Sequence, residues 1–125
     1  MPRFERTDPA SGPLIRGFGA DGSFNVDGQP HRSVLLTPER VIAWDPPELA
    51  ELGEGDFADL LTLQPAPEFL LLGTGPKLRR PPQALVRALE ARGIGVEAMD
   101  SRAAARTWGV LRAEERWIAA ALLPL

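Results

Sequence analysis

The sequence predicts an α/β domain, and three observations carry that prediction. Phe69-Leu70-Leu71-Leu72 is an unbroken apolar run that stops at Gly73-Thr74-Gly75-Pro76. A strand buried on both faces reads this way when it ends in a tight exit loop. From that point strand-like and helix-like patterns alternate, so residues 69–123 read β-α-β-α-β. The first third is different, with short strand patterns cut by turn residues and Asp27-Gly28 as its sharpest hairpin signal.

A chain of 125 residues fits a single domain, 1–125, with room for a sizeable core. Residues 1–13 carry Asp8-Pro9 and Ser11-Gly12-Pro13 and are expected to form a loose N-terminal segment. Residues 14–18 make a short strand, and residues 23–26 alternate polar with apolar as a half-buried strand does. The returning strand is expected over 29–36, ended by Thr37-Pro38, and another over 41–44, stopped by Asp45-Pro46-Pro47. The period then changes. Leu49, Leu52, Phe57, Leu60, Leu61 and Leu63 recur at helical spacing, which predicts a helical turn near 47–52 and a helix at about 56–63 capped by Asp56.

After the 73–76 loop, Pro82 opens a helix over 82–92 whose inner face is Leu85, Val86 and Leu89, with Gly93 as its C-cap. Residues 94–99 form the next strand. Asp100-Ser101 then caps a helix over 101–114 that turns Ala104, Trp108 and Leu111 to one side. The apolar run 117–123 suits a central strand. The strands at 69–72 and 94–99, joined by one helix, should be parallel, which brings loops 73–81 and 100–101 to the same edge of the sheet.

Composition narrows the function classes. A net charge of −3 argues against a nucleic-acid-binding face. The absence of cysteine removes disulfides, thiolate catalysis and zinc-thiolate sites, and fits a reducing compartment. His31 is the only histidine, so no His-based metal cluster is available and no metal or cofactor is expected. No apolar run reaches the length of a membrane span, and Met1-Pro2-Arg3-Phe4-Glu5-Arg6 lacks a signal core, so the expected location is the cytoplasm.

The candidate binding residues gather after the central strand. Gly73, Thr74 and Gly75 either form a tight turn or cradle an anion with their N–H groups, helped by Lys77, Arg79 and Arg80 and a nearby helix start. Neither the dinucleotide fingerprint nor the phosphate-loop Gly-Lys-Ser/Thr is present. Asp100 and Ser101 are a helix cap placed beside that loop. Arg106 and Thr107 face the same crevice, unless Arg106 forms a buried pair with Asp100. His31 has no partner in sequence, and Trp44, Trp108 and Trp117 read as packing residues first. No nucleophile–base pair stands out, so no residue is assigned as catalytic.

Several segments in order carry a resemblance: Leu70-Leu71-Leu72-Gly73-Thr74-Gly75, Gly95-Val96-Glu97-Ala98-Met99-Asp100-Ser101, Ala104-Ala105-Arg106-Thr107-Trp108, and Leu111 through Glu115-Arg116 to Leu122. With Gly17-Phe18 and Ser33-Val34-Leu35, they cover nearly the whole chain. They resemble a family of unknown biochemical activity that includes the mitochondrial assembly factor 3 of respiratory complex I and an adipogenesis-associated Mth938 domain-containing protein. The resemblance implies a three-layer sandwich around a mixed sheet, with helices on its faces and an additional N-terminal β-hairpin layer. The chain departs from the family pattern at Ala105, where cysteine is common, at Trp108-Gly109, where Tyr-Asn is common, and at Glu115, where glycine is common. A family activity built on that cysteine would be lost here, which favours a role based on shape.

The leading expectation is therefore a non-enzymatic binding or assembly module that meets a protein partner, such as a respiratory-complex subunit or assembly intermediate, through the sheet edge and neighbouring helices. The alternative is a site for a small anionic ligand, catalytic or not, between the 73–75 loop and Asp100-Ser101. A homo-oligomer building block is the third option.

Overall fold

In the computed structural model, which describes residues 12–125, the order of strands in the larger of two sheets positions everything of functional interest. Strands β1 (Ile15–Phe18), β2 (Phe24–Val26) and β3 (Gln29–His31) form a small antiparallel sheet in that order. Asp27 and Gly28 connect β2 to β3 with φ of 51° and 92°, as a tight two-residue hairpin requires. The larger sheet takes β4 (Val34–Leu36), β5 (Val41–Ala43), β6 (Phe69–Gly73), β7 (Gly95–Met99) and β8 (Ala119–Leu122) in the order β5-β4-β8-β6-β7. Strand β6 runs parallel to both β7 and β8, while β4 is antiparallel to β5 and β8, so the sheet is mixed.

The single strand expected over 29–36 is thus two strands in different sheets. Arg32 and Ser33 carry the chain across, and Ser33 Oγ donates to the Trp44 carbonyl at 2.6 Å to fix the crossing. Pro30 has no N–H to give a ladder, which an edge strand such as β3 tolerates.

Side chains alternate between the two faces of the large sheet. Leu35, Leu70, Leu72, Ala119 and Ala121 join Leu85 and Leu89 of helix α1 (Gln83–Glu90) in one core. Val34, Leu36, Leu71, Ala120 and Leu122 join Ala104 and Trp108 of helix α2 (Ser101–Ala113), and Phe24 and Val26 of the small sheet, in the other. The layers are those expected, with the N-terminal layer a three-stranded sheet lying beside α2. The Arg102 guanidinium stands 4.6 Å over the Phe18 ring and ties that sheet to α2.

The helix expected at 56–63 does not form. In its place are 3-10 turns at Glu54–Phe57 and Leu60–Thr62, after another at Leu49–Glu51. Gly53, Gly55 and Pro65 leave runs too short to propagate an α-helix, so i→i+3 bonds such as Ala58 N–H to Gly55 C=O hold the chain. Leu49, Leu52, Phe57, Leu60 and Leu63 are still buried as their spacing implied. Asp56 lies inside its turn and accepts the Gly53 N–H at 2.8 Å, where a cap at the start of a helix was expected.

Both α-helices end with the same pair of bonds. Ile94 N–H reaches Leu89 C=O and Gly93 N–H reaches Glu90 C=O; Arg116 N–H reaches Leu111 C=O and Glu115 N–H reaches Arg112 C=O. The left-handed position is Gly93 (φ 82°) after α1 and Glu115 (φ 61°) after α2. Beyond α2, Arg116 makes two hydrogen bonds to Glu68 Oε1, and the pair holds the Glu68 carboxyl below the usual carboxylate range.

Each indole N–H donates to a distant carbonyl: Trp44 to Asp56, Trp108 to Pro13 and Trp117 to Pro65. Pro13 is buried under that bond, while residues 1–11 of the segment expected to be loose lie outside the described residues.

Candidate functional site

The chain leaves β6 through α1 on one face to reach β7, then returns through α2 on the other face to β8, on the far side of β6. The two connections part between β6 and β8. In open α/β sheets, ligands bind where such connections diverge, beyond the carboxyl ends of the strands.

The loops after β6 and β7 do meet side by side, and Ser101 fills the space between them. Ser101 N–H donates to Gly75 C=O at 2.8 Å, Gly75 N–H donates to Ser101 Oγ at 2.9 Å, and Ser101 Oγ donates to Leu123 C=O at 2.8 Å. The Ser101 side chain is wholly buried. Gly73 explains how it fits: a Cβ there would stand 2.7 Å from Ser101 Oγ, 2.9 Å from Ser101 Cα and 3.0 Å from Leu122 Cδ2. The amides expected to cradle an anion have protein partners, with Thr74 N–H on Met99 C=O and Gly75 N–H on Ser101 Oγ. A ligand at this end of the sheet meets side chains rather than those amides.

Thr74 organises the rest of the loop. Its buried hydroxyl donates to Lys77 C=O at 2.7 Å and accepts Arg79 N–H at 3.0 Å, which closes the turn from within. Arg79 lines a cleft of about 680 Å³ whose lining does not include Ser101.

That cleft opens at the ends of β6 and β8, at the point where the connections diverge. Thr74, Gly75, Pro76 and Arg79 form one wall with Leu123 and Pro124. The crossing at His31, Arg32 and Ser33 forms a second, and the exit from β5 at Trp44, Asp45, Pro46, Pro47 and Glu48 a third. Trp44 keeps its place by packing 5.5 Å from the Phe57 ring and donating its N–H to Asp56 C=O.

Of the residues expected at a site, Thr74, Gly75 and Arg79 line the cleft, and Gly73 packs against Ser101 and Leu122 instead. Lys77 and Arg80 are exposed beside it. Asp100 and Ser101 belong to the packed side, where the Asp100 carboxylate accepts Ala103 N–H at 2.9 Å and caps α2. Arg106 is exposed, so the buried Arg106–Asp100 pair does not form, and Thr107 Oγ1 lies 3.5 Å from Met99 Sδ. Arg32, Asp45 and Glu48 were not expected to contribute. One signal could have found the acidic wall: residues 41–76 contain no Lys or Arg, whereas 77–80 contain three.

Comparison with known proteins places this geometry in a family. The family described as "Protein of unknown function (DUF498/DUF598)" matches residues 16–123. An uncharacterized protein of Rhodobacter capsulatus is 36% identical over 112 residues, covering 89% of this chain and 84% of that protein. The bovine protein named NADH dehydrogenase [ubiquinone] 1 alpha subcomplex assembly factor 3 is 34% identical over 109 residues, covering 87% of this chain but only 56% of its own length. Among solved structures, a Bordetella parapertussis protein superimposes with a TM-score of 0.81 at 36% identity, covering 91% of this chain and 97% of that one. A Bordetella pertussis protein described as a Mth938-like domain superimposes with a TM-score of 0.77 at 33% identity, covering 96% and 91%. With a family match across nearly all of the chain and relatives of the same fold, the chain belongs to the DUF498/DUF598 family of Mth938-like domains.

Proposed function

We propose that this protein is a non-enzymatic assembly module that holds a protein partner, namely a subunit or intermediate of an NADH dehydrogenase complex. The observation that carries the reading is the 34% identity to the bovine assembly factor over 87% of this chain. A chain with no cysteine and one histidine, and no nucleophile–base pair in its motifs, supports binding over catalysis. The same cysteine-free composition supports action in the cytoplasm. Removing the protein from its own cells should lower the amount of full-size NADH dehydrogenase on a native gel, and the wild-type chain should restore it. An unchanged amount overturns the reading.

A second reading has its own observation. The cleft at the switch point, about 680 Å³ in volume, supports a small-ligand site, since ligand clefts span roughly 300–1,000 Å³. Chemical-shift mapping with small ligands tests it, and a cleft that no ligand perturbs would sink it.

A further inference from the structure

We propose that the cleft takes a small dipolar ligand, with an anionic group against Arg79 and a cationic amine against Asp45 and Glu48. The proposal names the ligand chemistry of the small-ligand reading above and rests on it.

Charges of opposite sign stand on different walls of one cleft. Arg79 is on the wall built by the β6 exit loop, and Asp45 and Glu48 are on the wall built by the β5 exit. None of the three is in an ion pair among the described residues, although the chain pairs Arg16 with Asp27, Arg92 with Glu54 and Arg116 with Glu68 elsewhere. A plain anion drawn to Arg79 meets two carboxylates in the same space, and a plain cation meets Arg79 and Arg32. A ligand carrying both charges matches a lining that holds two cations, Arg79 and Arg32, and two carboxylates, Asp45 and Glu48. The half-buried Trp44, Pro46, Pro47 and Pro124 supply apolar surface for the body of such a ligand.

The backbone of both walls is held in place. Pro46-Pro47 fixes the backbone between Asp45 and Glu48, and the next residue, Leu49, is buried at the start of a 3-10 turn. Opposite, the Thr74 hydroxyl holds the backbone at Lys77 and Arg79. Walls set in advance lose less freedom on binding, so contacts at an open site retain more of their effect.

The test is an amide and indole NMR titration of the full chain with four probes: leucyl-leucine, its N-acetyl form, its C-terminal amide and inorganic phosphate. Leucyl-leucine should move the Thr74, Gly75 and Trp44 indole signals saturably, and losing either end charge should weaken binding about tenfold. Arg79→Gln should erase the difference between leucyl-leucine and its amide. Asp45→Asn with Glu48→Gln should erase the difference between leucyl-leucine and its N-acetyl form. Equal binding of the three dipeptide forms overturns the proposal. Phosphate binding at the same signals as tightly as the dipeptide overturns it too, while leaving the small-ligand reading standing. Silence with all four probes sinks both.

Discussion

On one side of the loop that follows β6, every polar group shown there has a protein partner; on the other side, charges stand apart across open space. Gly73, Gly75 and Ser101 pack into each other, with Ser101 Oγ accepting from one strand exit and donating to another. Next to that contact, Thr74 closes the turn that carries Arg79, which lines a cleft together with Asp45 and Glu48. The difference separates two roles within one short motif. Gly-Thr-Gly looks like a ligand loop by composition, yet Gly73 serves close packing and Gly75 a left-handed turn at φ 109°. The residues free to meet a ligand carry no motif at all.

The contrast breaks first, and hardest, at Gly73. Gly73→Ala drives a Cβ to within 2.9 Å of a backbone atom of α2, which has no flexible end to move aside. The cost should be about 3 kcal/mol, as for an overpacked core, and urea unfolding measures it. A loss below 1 kcal/mol would mean that β6 and α2 separate easily and that the packed side is softer than its contacts imply.

Ser101→Ala should come next. It removes no bulk that neighbours lean on, but it leaves Gly75 N–H and Leu123 C=O without the hydroxyl they share in a buried place. Stranding those groups should cost about 2 kcal/mol. A near-neutral Ser101→Ala would show that water reaches the loop junction, and the packed side would then be a candidate site after all.

How much of this was legible beforehand depends on whether the signal was local. β6, α1, β7, α2 and β8 follow from the apolar period and from end signals such as Gly93 and Asp100, and those determinants sit within a few residues of each element. Glu115 takes φ 61°, a conformation that glycine adopts at least cost, and the bonds closing α2 form there regardless. Strand order is another matter. A β-α-β-α-β chain with right-handed crossovers can place its last strand beside the second or beside the first. Only non-local pairing puts β8 between β6 and β4, with Ala119, Ala120 and Ala121 wholly buried at the centre. The expected crevice was accordingly set beside Asp100-Ser101 instead of beside Leu123-Pro124. The acidic wall was missed for the same reason: Asp45 and Glu48 share a cleft with Arg79 only because two exits from different parts of the sheet converge.

The smallest effect on stability belongs to the open side. Arg79→Gln leaves the backbone N–H that donates to Thr74 Oγ1 untouched, so the loop should keep its shape. The Arg79 side chain is exposed and makes no ion pair among the described residues, so nothing buried loses a partner. Such surface changes shift stability by less than about 0.5 kcal/mol, several times less than either change on the packed side. Unfolding midpoints of Arg79→Gln and wild type compared in the same urea series check this directly. A loss above about 1.5 kcal/mol would show that the guanidinium holds the fold together, and the division between a packed side and a binding side of the loop would fail with it.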